Sequence, residues 1–417
     1  MSGVMAGSAV PAYGMLDRML RQRLLAAFEQ LRGGALRVTD GLGETVFGDT
    51  RAAPPIGVRV HDPAFYRMAA ATGSVGAGEA YMDGHWDCDD LVGLIRLLVR
   101  NRDLLDGMET GLARAGGLAL RGWNTLRRNT QAGSRRNIAA HYDLGNAFFA
   151  LFLSSDLMYS SALFEHDDDT LEVASTRKLD RICRALALAP GDRVLEIGTG
   201  WGGFAMHAAR HYGCHVTTTT ISREQHALAS ARVAEAGLQD RVTLLLQDYR
   251  DLEGTYDKLV SIEMVEAVGA QYLTTYFAAL GRLLAPDGLA LLQAITIEDH
   301  RYEQARDSVD FIKRFIFPGS FIPSVAAMLT AKTAASDLQL LQFEDFGPSY
   351  ARTLEAWRER FMARLPEVRA QGFDMRFVRM WEFYLAYCEG GFRERSIGVA
   401  HLLLGKPGHL RASRGAS

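Results

Sequence analysis

A glycine-rich run near the middle of the chain has the residue types and spacing of a ligand-binding turn. It reads Glu196-Ile-Gly-Thr-Gly-Trp-Gly-Gly203 and follows a short apolar stretch. Gly198 and Gly200 can adopt backbone angles closed to other residues, which lets a ligand lie against the main chain. The spacing is GxGxGG rather than the GxGxxG of dinucleotide-binding turns, and the carboxylate of Glu196 would repel a diphosphate. The run therefore favours a ligand other than NAD, with a positive group that Glu196 could meet.

Two later loops carry side chains that could complete such a site. Thr220 and Gln225 offer a hydroxyl and an amide, which can hydrogen-bond an adenosine. Ser222 with Gln225 also fits a capping box for the next helix, so a ligand role and a capping role both stay open. Further on, Asp248 could accept a hydrogen bond from the amino group of an adenine, and Tyr249 could stack on the adenine ring.

Predicted strands and helices alternate from about residue 140, and they must position these loops. Strands are expected at Arg193–Ile197, His215–Thr220, Val242–Leu246, Tyr256–Ile262 and Leu289–Ile295. Helical patterns are expected at 172–187, 204–212, 223–236 and 270–284. Strands that alternate with helices favour a parallel sheet covered on both faces. Ligands bind such sheets beyond the carboxyl ends of the strands, which is where the glycine turn lies.

The first part of the chain has a different pattern. An amphipathic helix is expected at 14–32 and short strands at 35–60, followed by a small-residue run at 73–84 and an apolar stretch at 91–99. These features predict a small α+β domain. We divide the chain into an N-terminal domain at 1–120, a basic linker at 121–137, an α/β domain at 138–408 and a disordered tail at 409–417.

Composition and charge exclude several classes of protein. Hydrophobic residues make up 48% of the chain and charged residues 23%, as in soluble globular proteins. The net charge of -3 argues against a general nucleic-acid binder. Cys88, Cys183, Cys214 and Cys388 have no metal-binding spacing, so we expect reduced thiols and no metal site. No window approaches the ~18 uncharged apolar residues of a spanning helix, and a signal peptide is not evident, so a soluble or peripheral protein is expected.

Several separated motifs, in order along most of the chain, resemble those of the cyclopropane-fatty-acyl-phospholipid synthases. Besides the glycine turn they are Gly78–Gly84, His141–Asn146, Met158–Ala162, Ser261–Gly269, Phe311–Gly319, Phe346–Tyr350 and Trp381–Lys406. The resemblance implies a Rossmann-like class I methyltransferase domain, with a central mostly parallel sheet, after a smaller N-terminal domain. It also implies transfer of a methyl group from S-adenosylmethionine to the double bond of an unsaturated fatty acyl chain in a membrane phospholipid.

The resemblance also assigns roles to individual positions. The cofactor-binding positions are Tyr159, Ser160, Glu196, Gly198, Gly200, Trp201, Thr220, Gln225, Tyr249 and Arg250. The catalytic positions are His141, Ser161, Glu266, Gln293, Tyr350 and Cys388. Bicarbonate is the proposed base of the synthases, and Glu266 and Tyr350 match two positions that hold it. Cys388 lies where family members carry a cysteine historically regarded as catalytic.

Two positions depart from the pattern of the family. Ser161 stands where many cyclopropane synthases have cysteine, and Gln293 stands where histidine is usual. Both side chains can hydrogen-bond an oxyanion, so a bicarbonate site is expected in altered form. A cyclopropane fatty acid is the expected product. The alternative is a methylene- or methyl-branched chain, formed when the intermediate cation shifts a hydride and loses its proton elsewhere.

Methylation of an alkene leaves a cationic acyl chain, so aromatic faces are expected around it. The candidates are Phe311, Phe315, Phe317, Tyr350 and Tyr384, although such a cluster is more often plain core. The apolar run speaks against a second alternative, methylation of a small polar molecule. A non-catalytic lipid-binding relative is a third alternative, and the presence of Glu196, Gly198, Gly200 and Glu266 argues against it.

The expected substrate lies in a bilayer, so the surface must meet lipid. Arg121–Arg136 carries five arginines beside Trp123 and could dock on anionic headgroups, although a solvated linker helix explains the segment equally well. We expect unsaturated phospholipid acyl chains as partners and no nucleic acid. A homodimer is compatible with the sequence. The expected location is cytoplasmic, peripheral to the inner face of the membrane.

Overall fold

The computed structural model describes residues 12–51, 54–103, 122, 129–131, 133–134 and 144–409. His141, most of the basic linker and the tail from residue 410 lie outside the described residues.

The N-terminal part is a small α+β domain, as the sequence predicts. Its helices are α1 (Met15–Phe28), α2 (Ala64–Thr72), α3 (Ser74–Met82) and α4 (Leu91–Arg100). Its strands are β1 (Ala35–Asp40), β2 (Gly43–Gly48), β3 (Ile56–Val60) and β4 (Trp86–Cys88), in the order β2-β1-β3-β4. Leu36 and Val38 alternate with exposed Arg37 along β1, so the strand buries one face against the helices.

The second domain is built on a larger sheet covered by helices. Its strands are β5 (Arg193–Ile197), β6 (His215–Thr220), β7 (Val242–Leu246), β8 (Tyr256–Ile262), β9 (Leu284–Ile297), β10 (Gln339–Asp345) and β11 (Ile397–Gly405). Its helices are α5 (Asn146–Phe149), α6 (Leu171–Ala185), α7 (Gly203–Tyr212), α8 (Arg223–Glu235), α9 (Leu273–Leu283), α10 (Tyr302–Asp307), α11 (Val325–Ala335), α12 (Gly347–Ala363), α13 (Leu365–Ala370) and α14 (Met375–Arg393). A single turn of π-helix spans Ile312–Ile316.

Within the described residues, the strands of this sheet follow the order β10-β11-β9-β8-β5-β6-β7. The strands from β9 to β7 run parallel, whereas β11 pairs antiparallel with both β9 and β10. The predicted mostly parallel α/β sheet is therefore confirmed, and β5 to β8 have the predicted bounds. The antiparallel pair β10 and β11 was not foreseen from the sequence.

The two domains share one hydrophobic core. Helix α3 packs on α14, and the ring of Tyr81 lies 5.6 Å from that of Phe383. A Cβ atom at Gly78 would lie 2.4 Å from the ring of Phe311, so a glycine is needed where α3 approaches the second domain. Glu394 accepts hydrogen bonds of 2.7 Å from Arg96 and Arg100. The N-terminal domain is thus fixed against the larger one.

The described part of the chain has neither a membrane-spanning helix nor a cluster of metal-binding side chains. No helix there is both long and apolar enough to cross a bilayer. No group of three or more His, Cys, Asp or Glu side chains there could hold a metal ion. All four cysteines are free thiols.

Candidate active site

A cavity of about 920 Å³ opens at the carboxyl ends of the parallel strands. From the glycine turn it extends to the N-terminal domain, where Gly73, Ile95 and Val99 line it. The predicted site residues that line the cavity are Tyr159, Ser160, Glu196, Gly198, Gly200, Trp201, Thr220, Gln225, Tyr249, Arg250, Glu266, Tyr350 and Cys388. The structure therefore brings most of the sequence-predicted positions to one place.

The glycine turn has the backbone conformation that its sequence requires. Gly198 has a φ of +104° and Gly200 a φ of +52°, in the region that favours glycine. A Cβ atom at Gly200 would meet no atom within 4 Å, so the main chain there faces open space. At Gly203, a Cβ atom would lie 2.6 Å from the sulfur of Met158, so α7 can begin close to that loop. The turn leaves an open cradle in front of the start of α7.

Two buried groups of opposite charge lie beneath this cradle. Glu196 accepts a 2.6 Å hydrogen bond from Thr218, and burial raises the pKa of its carboxyl to about 8. Lys178 on α6 is fully buried, and its Nζ donates to the hydroxyl of Ser160 at 2.9 Å. Burial lowers the pKa of Lys178 to about 8, against the opposing effect of the neighbouring carboxylates. Charge in this region is therefore sensitive to pH near neutrality.

The loop after β6 caps the N-terminus of α8 and also forms part of the cavity wall. Ser222 accepts from the backbone N–H of Gln225 at 3.3 Å and so caps α8. The hydroxyl of Thr220 donates to the amide oxygen of Gln225 at 2.8 Å. This contact fixes the amide of Gln225, and both Thr220 and Gln225 line the cavity. The capping interpretation and the ligand interpretation are therefore compatible.

The loop after β7 presents an aromatic ring that an arginine covers. The guanidinium of Arg250 lies 5.4 Å from the ring centre of Tyr249. Arg250 also donates to both carboxylate oxygens of Asp248, at 2.8 and 2.7 Å. Arg250 therefore fixes the orientation of the Asp248 carboxylate, which keeps acceptor capacity, and the adenine-binding role of Asp248 stays a prediction. Tyr249 remains in the cavity wall.

Aromatic side chains form another wall of the cavity. The hydroxyl groups of Tyr159 and Tyr384 lie 2.9 Å apart, and the ring of Tyr159 is 6.3 Å from that of Phe317. The indole N–H of Trp201 donates to Asn146 at 2.7 Å, which holds the glycine turn against α5. Phe317 and Tyr384 line the cavity as expected, whereas Phe311 is buried in the core between the domains.

A carboxylate that was not predicted from the sequence as a site residue accepts three hydrogen bonds in the cavity. Glu263 follows β8, and its Oε1 accepts from the backbone N–H of Ser161 at 2.9 Å and from the amide of Gln293 at 2.7 Å. Its Oε2 accepts from the hydroxyl of Tyr350 at 2.7 Å. Burial raises the pKa of Glu263, while these three donors and Lys178 act to lower it. Ser161, Gln293 and Tyr350 thus converge on a side chain of the protein.

Ser161 and Gln293 are the two positions that differ from the family pattern, and their contacts are not those that their side chains suggest. The hydroxyl of Ser161 donates to the carbonyl of Ala162 at 2.9 Å, so the backbone rather than the side chain faces Glu263. The amide oxygen of Gln293 lies 3.0 Å from Nε2 of His401. Burial lowers the pKa of His401 to about 3, so its ring is neutral near neutral pH. A neutral His401 can donate from Nε2 and hold the amide nitrogen of Gln293 toward Glu263.

Glu266 lies one turn further along and has a different environment. Its Oε1 accepts from the backbone N–H of Ile295 at 2.6 Å. Its Oε2 is buried and has no hydrogen-bond partner among the described residues. Burial, together with the nearby charge of Glu263, raises the pKa of Glu266 to about 8. An unpartnered polar atom in a cavity wall is costly unless a ligand meets it.

Glu263, Lys178 and His401 were not predicted from the sequence as site residues. Glu263 stands inside the motif Ser261–Gly269, where its place directly after a parallel strand was a usable signal. Lys178 lies on an amphipathic helix, where a lysine is normally solvated, so its sequence offered no signal. His401 could be found only through the pairing of β11 with β9, which sets it opposite Gln293. His141 lies outside the described residues.

The sheet order and the glycine turn at the end of β5, beside a buried acid, define a class I S-adenosylmethionine-dependent methyltransferase. A family model described as mycolic acid cyclopropane synthetase matches residues 129–402. The chain belongs to this family. It is 40% identical to the tuberculostearic acid methyltransferase UfaA1 of Mycobacterium tuberculosis, over 82% of this chain and 81% of that protein. It is 39% identical to the cyclopropane-fatty-acyl-phospholipid synthase of Escherichia coli, over 86% of this chain and 91% of that protein.

Solved structures agree with this assignment. The cyclopropane synthase MmaA2 from Mycobacterium tuberculosis is 30% identical, with a TM-score of 0.61 over 65% of this chain and 98% of its own. The cyclopropane synthase CmaA1 in complex with SAH and CTAB matches with the same values. Coclaurine N-methyltransferase, at 21% identity and a TM-score of 0.62, covers 79% of this chain and 99% of its own and shares the fold. The protein is an S-adenosylmethionine-dependent methyltransferase that modifies lipid.

The thiol of Cys388 lies in the cavity wall on α14, and burial raises its pKa well above the usual range. A neutral thiol is a weak base and a weak nucleophile. Cys388→Ala is therefore expected to lower kcat by less than about threefold, whereas a general base would contribute about 100-fold or more. Steady-state kinetics on phospholipid vesicles measures the change. A 100-fold fall in kcat with unchanged cofactor affinity would give Cys388 a chemical role.

Proposed function

We propose that this protein transfers a methyl group from S-adenosylmethionine to an alkene carbon of an unsaturated acyl chain in phospholipid. One observation carries the proposal: a single cavity joins the glycine turn to an aromatic wall and then to the N-terminal domain. A polar cofactor and an apolar chain can therefore meet inside one enclosure. The names of the two relatives, which refer to tuberculostearic acid and to fatty acyl phospholipid, support an acyl substrate.

The residues of the turn fit S-adenosylmethionine. Its sulfonium carries positive charge, which the buried carboxylate of Glu196 can meet across the turn. The open main chain at Gly200 would face the amino acid part, and Thr220 with Gln225 would bind the ribose hydroxyls. Tyr249 would lie against the adenine ring. When bound, the cofactor supplies an electrophilic methyl group.

The cavity wall must protect a poor nucleophile and then stabilise positive charge. The rings of Tyr159, Phe317 and Tyr384 line the cavity and exclude water from the alkene. Their faces can also stabilise a cation on the acyl chain after methyl transfer. One proton then leaves the transferred methyl group. Ring closure at that step gives the expected cyclopropane, and a preceding hydride shift gives an exocyclic methylene, so both products belong to the proposal.

The substrate is proposed to be reached at the inner face of the membrane. Helix α1 exposes Met15, Leu16 and Met19, with relative exposures of 90%, 49% and 47%, beside exposed Arg18. Apolar side chains with a basic neighbour are suited to an anionic lipid surface. Most of the basic segment Arg121–Arg136 lies outside the described residues, and its role in docking stays a prediction.

The test is a labelled methyl transfer to vesicles. The purified protein is incubated with methyl-labelled S-adenosylmethionine and vesicles of dioleoylphosphatidylglycerol. The acyl chains are then released, and their masses are measured by mass spectrometry. We expect label in an acyl chain that has gained one carbon, and proton NMR distinguishes a ring from a methylene. Vesicles with saturated chains are the control and should take no label. Absence of label from the oleoyl chains would refute the proposed function.

Affinity for S-adenosylmethionine is expected to rise with pH up to about 8. Glu196 has its pKa raised to about 8 by burial, so below that pH binding a cation must release a proton. The dissociation constant should therefore fall by at most about tenfold per pH unit and level off above pH 8. Isothermal titration calorimetry in buffers of different pH measures it. Glu196→Gln should bind weakly and have a shallower profile, with the remaining slope due to the neighbouring Lys178, whose pKa is also about 8. Exposed Glu235→Gln should keep the wild-type profile, and an unchanged slope in Glu196→Gln contradicts the assignment.

A further inference from the structure

Three of the residues expected to hold a bicarbonate ion donate hydrogen bonds to a carboxylate of this chain instead. The amide of Gln293 and the hydroxyl of Tyr350 donate to Glu263 at 2.7 Å, and the N–H of Ser161 does so at 2.9 Å. A bicarbonate ion would need the same donors and would place a second negative charge beside Glu263. The charge of Glu263 already acts to raise the pKa of Glu266, so a further anion beside Glu263 would add to this repulsion. The residues present therefore do not fit a bound bicarbonate.

We propose that the carboxylate of Glu263 is the catalytic base that removes the proton from the methylated acyl chain, in place of an external anion. This inference rests on the proposed function, since it concerns the second half of that reaction. Glu263 lines the cavity together with Tyr159 and Gly198, so the base, the aromatic wall and the cofactor turn share one enclosure.

The reaction balances with these groups alone. The alkene electron pair forms a bond to the methyl carbon as the sulfur–carbon bond breaks, which leaves S-adenosylhomocysteine and a cationic acyl chain. Glu263 takes one proton from the transferred methyl group. The electron pair of that carbon–hydrogen bond closes the ring or, after a hydride shift, forms the exocyclic double bond. Glu263 ends the cycle protonated and releases its proton to solvent as product leaves.

The backbone supports a functional role for Glu263. Its φ is +48°, a left-handed conformation that costs a residue with a side chain about 1–3 kcal/mol. Its N–H donates to the carbonyl of Gln293 at 2.8 Å, which holds this conformation. A glycine would adopt it without strain, so the carboxylate stands there against the local preference. Such conformations concentrate at active sites.

The surroundings keep this carboxylate basic and fixed in direction. Burial raises the pKa of Glu263 and so makes its carboxylate a stronger base, while its three hydrogen-bond donors and the buried ammonium of Lys178 oppose that effect. The three hydrogen bonds use part of the acceptor capacity of both carboxylate oxygens of Glu263. They restrain Glu263 from turning an oxygen onto the cation, which limits alkylation of the carboxylate. Gln293 and His401 are positioning residues, since they act through Glu263 rather than on the acyl chain.

The experiment compares Glu263→Gly and Glu263→Gln with the wild type, in buffer freed of carbon dioxide and in buffer with added bicarbonate. Wild-type kcat should be the same in both buffers. Both variants should lose about 100-fold or more in kcat without bicarbonate. Added bicarbonate should raise kcat of Glu263→Gly at least about tenfold, because the three donors become free for the ion, and should leave Glu263→Gln unchanged.

Calorimetry of S-adenosylmethionine binding shows that each variant is folded, and Glu263→Gly is helped by the relief of backbone strain. Exposed Glu235→Gln is the matched control and should behave as the wild type. Loss of wild-type activity on removal of bicarbonate, or near wild-type kcat in Glu263→Gln, would overturn Glu263 as the base. A wild type that transfers no methyl group to unsaturated phospholipid would instead overturn the proposed function itself, and the base assignment with it.

Discussion

Gly198→Val is expected to weaken S-adenosylmethionine binding by about 100-fold or more and to abolish methyl transfer. Gly198 has a φ of +104°, so any side chain there is strained by about 1–3 kcal/mol. A Cβ atom would also lie 3.3 Å from Met264, and the methyl groups of valine would enter the space proposed for the cofactor. The strain and the obstruction act together on the cradle. Calorimetry measures the affinity, and the vesicle assay measures the transfer.

Gly191→Val is the matched control for this prediction. Gly191 precedes the opposite end of β5, has a φ of +89°, and a Cβ atom there would meet nothing within 4 Å. Its substitution should cost about 1–2 kcal/mol of stability and leave cofactor affinity near that of the wild type. Equal affinities in the two variants would show that the turn at Gly198 does not hold the cofactor.

Gly78→Val is expected to lower the free energy of unfolding by about 3 kcal/mol and kcat by about tenfold or more. A Cβ atom at Gly78 would lie 2.4 Å from the ring of Phe311 and 3.1 Å from that of Phe383, both in the second domain. Because both rings are buried, they cannot move aside without displacing the N-terminal domain. Chemical denaturation and the vesicle assay measure the two effects.

Cofactor affinity separates this effect from general misfolding. Gly78 does not line the cavity that holds the glycine turn, so Gly78→Val should bind S-adenosylmethionine within about threefold of the wild type. Exposed Ala71→Val on α2 introduces the same side chain at the surface and should change little. Full activity in Gly78→Val would mean that the N-terminal domain is not needed to shape the acyl site.

The sequence predicted the cofactor half of the fold well because local signals agreed there. β5 to β8 are short runs rich in apolar or β-branched residues and bounded by turn residues, and their bounds follow directly from that pattern. β10 is different, since Leu340 and Phe343 are exposed and no clear alternation marks its buried face. β11 is apolar along most of its length, which a buried helix segment would also explain.

The surroundings of Glu263 were predictable to the level of the motif but not of the individual atoms. Glu263 and Glu266 are three residues apart, and the resemblance directed attention to Glu266. The left-handed backbone at Glu263 turns its carboxylate toward Ser161, Gln293 and Tyr350, and no spacing rule reveals such a turn. The expectation that the hydroxyl of Ser161 would bind an oxyanion missed that its backbone N–H makes the contact.

Long-range pairing explains what remained hidden. His401 reaches Gln293 because β11 lies antiparallel to β9 in one register, and a shift by one residue would turn His401 to the other face. Lys178 becomes buried because α6 packs its polar side chain beneath the loop of Ser160. Gly73, Ile95 and Val99 reach the cavity through domain packing. Such contacts depend on tertiary structure and leave no periodic trace in the sequence.

The fate of a deuterated methyl group tests the central claim most directly. The protein is incubated with S-adenosylmethionine that carries a trideuterated methyl group and with vesicles of dioleoylphosphatidylglycerol, and the acyl product is analysed by mass spectrometry and NMR. Transfer to an alkene carbon followed by loss of one proton from that methyl predicts an added carbon that keeps two of its three deuterons. An added carbon that keeps all three, or no labelled carbon in the acyl chain, would contradict the account.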